Sequence, residues 1–402
     1  MTCREPTSPT DRHVVISSCP PTLIVIARRS VSAVRRPVPV YLASFVVIGV
    51  TLTFLGPALG EIRERTGTSV SAAGSLFAAM AIGSILASLL AGRLVDRMPG
   101  HIVHAGCLLA IAAGMLVMPH LGSLLPALAV FALLGGAAAA IDVVDNTLLM
   151  WHKGADVGRS MNLMHFSFGI GALAGPAIVA AGLAVVSLGT SLVAIVLAVW
   201  AVMVPSPRRA EVARDEQGDA TRAVLIVASV FFLLYVGYEV TFAGWIFTYG
   251  EETGLSGAAP TVLVTMFWVL FTGGRLLSAV VVGRVRPRTV MVSSIGLAVV
   301  AAVLLVIGDG AAWAVWPGTM LLGLALAPQF PVMFAYLERR VHFTGSDTSL
   351  FIASAGVGGA VFPFATGAVF DAAGASVVPW MVLALAIAVA GSFVAIDRRF
   401  RH

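Results

Sequence analysis

PSPRRAEVARDEQGDATR, Pro205 to Arg222, is the longest polar stretch between apolar runs in a chain of 402 residues. Before it lie six apolar runs, near 38–60, 70–92, 101–119, 124–150, 160–183 and 187–205. After it lie six more, near 223–248, 259–283, 289–307, 313–336, 348–370 and 377–396. A spanning helix needs about 20 mostly apolar residues, and each run is near that length. Membrane strands run to ~10 residues and alternate, so these continuous runs are not strands. Composition agrees: 58% of residues are hydrophobic and 11% charged, where soluble domains carry about 25% charged. The sequence predicts an all-α membrane protein of twelve transmembrane helices, six on each side of the polar stretch.

Orientation follows from where positive charge sits in short loops. With the N-terminus inside, every basic residue except Arg63, Arg65 and Arg275 falls in a segment read as cytoplasmic. Both termini are therefore expected in the cytoplasm. The expected organisation is a disordered basic tail over 1–36, a first half over 37–205 and a cytoplasmic linker over 206–222. A second half over 223–396 and a short tail over 397–402 complete it. The formal charge of +5 is an orientation signal and not a nucleic-acid footprint, because the cations do not cluster on a polar, foldable segment. Cys3, Cys19 and Cys107 show no pairing or metal-ligand spacing. No H-E-x-x-H, P-loop or G-x-S-x-G pattern occurs. No metal, no cofactor and no enzymatic activity are expected.

The two sets of runs repeat one another, as in many transporters. GVTLTFLG (Gly49 to Gly56) in span 1 matches GYEVTFAG (Gly237 to Gly244) in span 7. Gly83 and Gly92-Arg93 match Gly274 and Gly283-Arg284, and Gly169, Gly171 and Pro176 match Gly356, Gly358 and Pro363. The same offset places Gln329 opposite Asp142. With GRLVDRMPG (Gly92 to Gly100) between spans 2 and 3, the chain resembles the major facilitator superfamily after residue 36. It departs from that loop motif in having Pro99 before Gly100 and no arginine pair after it. Three segments are most similar to the fucose permease and sodium-dependent glucose transporter group. They are AAAAIDVVDNTLLMWHKG (Ala137 to Gly154), MNLMHFSFGIGALAGP (Met161 to Pro176) and YVGYEVTFAGWIFTY (Tyr235 to Tyr249). FWVLFTGGRLL (Phe267 to Leu277) and LALAPQFPVMF (Leu324 to Phe334) fit the same group.

The resemblance implies the major facilitator fold and alternating access, with Gly92, Arg93, Asp96 and Arg97 stabilising one conformation. It implies a coupling-proton site at the acidic position of span 4, Asp142. Fucose-type permeases carry a carboxylate in span 1, whereas this span offers only Thr51 and Thr53. The expected activity is symport of a monosaccharide with H⁺, Na⁺ being the other possible coupling ion. The expected setting is the plasma membrane as a multi-pass monomer, with the small-molecule substrate and the lipid bilayer as partners. The alternative is a proton-coupled drug or metabolite efflux antiporter. GALAGP (Gly171 to Pro176) resembles the exporters' span-5 motif, although span 4 lacks their arginine.

A charge at mid-helix costs about 2.5–3.5 kcal/mol to insert, so the few inside the runs are functional candidates. Asp142, Asp145 and Asn146 lie at i, i+3 and i+4 and share one face of span 4. Two carboxylates that close disfavour double ionisation, which suits a proton site. Asn162 and His165 open span 5. His165 suits protonation-gated coupling, and equally suits a hydrogen bond to a neighbouring helix. By rise per residue, Arg275 and Asp142 lie about 12 Å from the cytoplasmic ends of their spans, His165 about 8 Å and Glu239 about 24 Å. Arg275 is thus expected to join the span-4/span-5 cluster in an ion pair or network between the halves that forms when the cytoplasmic side closes. Glu239 and Trp245 are expected to contact substrate, the acid taking hydroxyls and the ring an apolar sugar face. Asn146, Asn162, Gln329 and Thr51 complete the expected substrate set.

Overall fold

The computed structural model describes residues 37–179, 181–208 and 219–400. The expected tail 1–36, most of the expected linker (209–218) and residues 401–402 lie outside the described residues.

The described chain is helical. The first group is α1 (Val38–Thr53), α2 (Leu55–Thr66), α3 (Val70–Arg97), α4 (Gly100–Val117), α5 (Leu124–Lys153), α6 (Val157–Val179) and α7 (Leu183–Met203). The second is α8 (Asp219–Glu252), α9 (Ala259–Val281), α10 (Pro287–Gly308), α11 (Ala312–Leu326), α12 (Gln329–Glu338), α13 (Gly345–Ala373) and α14 (Val377–Arg399). Local chemistry sets several ends. Ser69 caps α3 by accepting from the Ala72 amide at 3.2 Å. Thr344 and Asp347 form a reciprocal capping box at the start of α13, satisfying amides that have no partner within the helix. Gly154 ends α5 at φ +52°, a region open to glycine at little cost.

Two spans are interrupted. Helices α1 and α2 meet at Phe54 with a bend of 50°, and α11 gives way to α12 at Ala327-Pro328. Among the described residues, ten stretches are long and apolar enough to cross a membrane, eleven when the bent pair is one span, against the twelve expected. The remaining difference lies in Leu124–Val179, a single stretch of 56 residues on that measure. The 3₁₀ turn Gly154–Asp156 divides it into α5 and α6.

Helix packing repeats between the two groups. Helix α1 packs on α6 as α8 packs on α13, α3 on α5 as α9 on α11, and α4 on α7 as α10 on α14. A Cβ at Gly171 would strike the Val46 carbonyl oxygen on α1, and one at Gly358 the Leu233 carbonyl oxygen on α8. The matched glycines thus do the same work, letting two backbones approach where no side chain fits. The groups meet along two seams, α3 against α13 and α6 against α9. Large apolar side chains face outward, among them Leu86 at 64%, Ile307 at 70% and Phe364 at 79% exposure. Such a surface belongs in hydrocarbon rather than water.

Candidate functional site

A cavity of about 330 Å³ lies between the two groups, at the small end of the range for ligand sites. Asp142 on α5 and His165 on α6 enter it from the first group, and Glu239 on α8 and Arg275 on α9 from the second. Ser84 adds a hydroxyl, already donated to the Met80 and Gly135 carbonyls at 2.8 and 2.9 Å. The other walls are apolar, including Phe45, Ile48, Phe168, Val236, Phe330 and Ile352. Four of the residues singled out in the sequence are thereby brought together, including Glu239, which rise along the helix had placed far from the rest. A depth counted from rise alone leaves out how far each side chain reaches and where each helix enters the membrane, so it does not separate residues that share a chamber.

The polar groups are tied to one another. Asn146 Nδ2 donates to Asp142 Oδ1 at 2.7 Å and to the Asp142 carbonyl at 2.7 Å. Its Oδ1 lies 3.4 Å from His165 Nε2. The His165 ring sits edge-on between Phe45 and Phe330, with centroids 5.1 and 5.0 Å away. Arg275 is 5% exposed. It donates from Nη1 to the His165 carbonyl at 3.1 Å and lies 4.2 Å over the Phe271 ring. It is near enough to Asp142 and to Glu239 for its charge to act on both. Across the two groups, Arg275 is thus bonded to a backbone oxygen of α6. Arg275 Nε has no hydrogen-bond partner among the described residues.

One end of the cavity is closed by aromatic rings and by contacts between the groups. Phe232 packs against Phe330, Phe334 and Phe351 with centroids 5.0, 4.8 and 5.2 Å apart. Beyond them, Trp151 Nε1 donates to the Phe343 carbonyl at 3.1 Å. At this end Asp96 accepts from the Gly345 and Ser346 amides at 2.6 and 2.9 Å and from Ser346 Oγ at 2.7 Å. The carboxylate of α3 thereby caps the N-terminus of α13, where unpaired amides and the helix dipole favour an anion. Gly92 makes the approach possible, since a Cβ there would meet the Gly345 carbonyl and the Ser349 side chain. Arg93 and Arg97 are exposed beside this latch.

Other expectations are corrected by geometry. Asp145 does not enter the cavity. It is fully buried and bonded to His104 of α4. It lies about 60° round α5 from Asp142, enough to turn it from the cavity toward α4. Trp245, about 240° round α8 from Glu239, does not line the cavity either. Its Nε1 donates to the Pro363 carbonyl at 3.1 Å and its ring stacks on Phe370. Thr51, Asn162 and Gln329 donate to the carbonyls of Val47, Gly158 and Ala325, one turn back on or beside their own helices. None of the three lines the cavity. Sequence reasoning missed His104, Ser84 and the aromatic closure. The rule that flagged Asp142, an ionisable group inside an apolar run, applies equally to His104 and would have found it.

The fold and the cavity define a class: a helical membrane protein of two repeated groups around a central charged chamber, as secondary transporters are built. The family model of the Major Facilitator Superfamily matches residues 41–363, and the chain belongs to that superfamily. It is homologous to sodium-dependent glucose transporters. The Mus musculus sodium-dependent glucose transporter 1A is 22% identical over 372 residues, covering 81% of this chain and 87% of that protein. Among solved structures, the E. coli fucose:proton symporter aligns with a TM-score of 0.72 at 16% identity, covering 90% of this chain and 98% of that one. The human organic anion transporter aligns at 0.71 and 15% identity, covering 90% and 99%. At these identities the structural likeness speaks for the fold.

Proposed function

We propose that the protein is a secondary active transporter that imports a monosaccharide with H⁺ by alternating access. Asp142 carries the coupling proton, and Glu239 and Arg275 contact the substrate. The observation that carries this reading is the meeting of Asp142, His165, Glu239 and Arg275 in one chamber between the two groups. A carboxylate inside the membrane facing a cavity is the simplest device for binding a proton on one side and releasing it on the other. The names of the similar proteins, a sodium-dependent glucose transporter and a fucose:proton symporter, support a sugar. Counting α5 and α6 separately supports twelve spans, and the reading takes the protein as a plasma-membrane monomer with both termini in the cytoplasm. The latched end at Asp96 is then cytoplasmic, and the conformation faces outward.

Labelled hexose should accumulate in vesicles under an imposed proton gradient. Accumulation driven by a sodium gradient alone would reassign the coupling ion. The predominantly apolar walls favour a second reading, proton-coupled efflux of an amphipathic solute. In that case the same vesicles would accumulate hexose under neither gradient, and a lipophilic dye would exchange for protons.

A further inference from the structure

The most deeply buried carboxylate of the first group plays no part in the chamber. Asp145, His104 and Ser44 all have 0% exposure. The His104 ring joins them, bonding Asp145 Oδ1 through Nδ1 and Ser44 Oγ through Nε2 at 2.9 Å. Ser44 belongs to α1, His104 to α4 and Asp145 to α5, so one chain of hydrogen bonds ties three helices. Asp145 Oδ2 has no partner among the described residues. Serine, histidine and aspartate in this order resemble an activated nucleophile, but none of the three lines the central cavity, and Ser44 is fully buried. The arrangement is a place for a charge, not for a reaction.

A lone carboxylate so far from water is strongly disfavoured unless paired. One proton shared with His104 makes the pair neutral, whether written as imidazolium with carboxylate or as imidazole with carboxylic acid. Without that proton, a bare negative charge would sit one helical turn from Asp142. We propose that His104 and Asp145 form a sealed proton site. They hold one proton between them throughout transport and leave Asp142 as the carboxylate of α5 that exchanges with the cavity. The role given to Asp142 rests on the proposed symport. His104 is a positioning residue, acting on the chamber only through Asp145.

The titratable neighbours are few. The Tyr41 ring of α1 lies 6.0 Å from that of His104. On α4 there are His101 and Cys107, and on α5 there is Asp142. Tyr41 Oη and His101 Nε2 bond each other at 2.7 Å, and His101 Nδ1 lies 2.8 Å from the Val204 carbonyl oxygen. Both are engaged elsewhere, so His104 is the partner left for Asp145.

Infrared difference spectra of the purified full-length protein, taken between about pH 5 and 9, read carboxyl protonation without any transport assay. Asp142→Asn should delete a pH-dependent carboxyl band, and Asp145→Asn should delete none. His104→Gln should gain such a band, which the double variant His104→Gln with Asp145→Asn should lose again. A merely structural histidine would show no such reversal. Deletion of a pH-dependent band by Asp145→Asn alone, or no gained band in His104→Gln, would overturn the proposal. Should His104→Gln not fold, Asp145→Asn still decides, because asparagine keeps the shape of the side chain. If vesicles show no proton-driven uptake, the symport reading fails while the band count still decides this one.

Discussion

Asp142 faces a chamber shared by both halves, whereas Asp145, three residues on, faces the interior of one half. That difference is the source of the sharpest residue-scale expectation. Asp142→Asn should lose uphill uptake while retaining counterflow, in which no proton need be released; unchanged uphill uptake would remove the coupling role proposed for it. Glu239 and Trp245 separate in the same way. Glu239→Gln should raise the KM for substrate roughly tenfold or more, the size of a lost hydrogen bond to a charged group. Trp245→Phe should leave KM essentially unchanged, because the indole binds the Pro363 carbonyl and Phe370 and does not line the cavity. Which residues bore charge inside the membrane was legible in the sequence, since insertion cost marks them. The direction each faces was not. A rotation of about 60° on a helix edge carries a side chain from a chamber to a helix interface, and spacing alone does not say where the edge lies.

Among the elements, α3 and α13 carry the closure of one end. Asp96 holds three donors at the start of α13. Asp96→Asn keeps an acceptor but gives up the charge that meets the helix dipole. The expected loss of about 1–2 kcal/mol shifts the equilibrium roughly 5- to 30-fold toward the form open at this end. Distances between spin labels on α3 and α13 would report it, and an unchanged distribution would count against the latch. The sequence motif announced the loop and the acid, and its two departures, Pro99 and the missing arginines, leave the cap intact. The interruptions of α1–α2 and α11–α12 were less legible. Apolar runs continue through both, and only Pro57 and Pro328 hinted that the backbone ladder would be broken there.

For the whole molecule, the repeat read from matched glycines reappears as matched packing, α1 on α6 and α8 on α13. Periodicity and glycine spacing encode which faces are close, so this level of the fold was largely readable. The chamber was not, because it arises where two groups with no sequence proximity leave space between them. The proposed orientation has a direct check. A cysteine at Arg65 should react with a membrane-impermeant reagent in intact cells, and a cysteine at Arg208 only after permeabilisation. The reverse pattern would invert the molecule.

Under the proposed symport, the mixture of charges in the chamber also sets how transport would respond to electrical potential. With His165 neutral and Glu239 ionised, Asp142, Glu239 and Arg275 sum to one negative charge when Asp142 is ionised and to none when it is protonated. The loaded carrier would therefore cross without moving net charge, and the empty one would carry a negative charge outward on its return. A potential of 100 mV, negative inside, favours that return by up to about 2.3 kcal/mol. Net uptake should thus quicken as the interior is made more negative, while exchange between loaded forms should not respond to voltage at all. Equal voltage sensitivity of the two modes would mean that the charge moves at a different step.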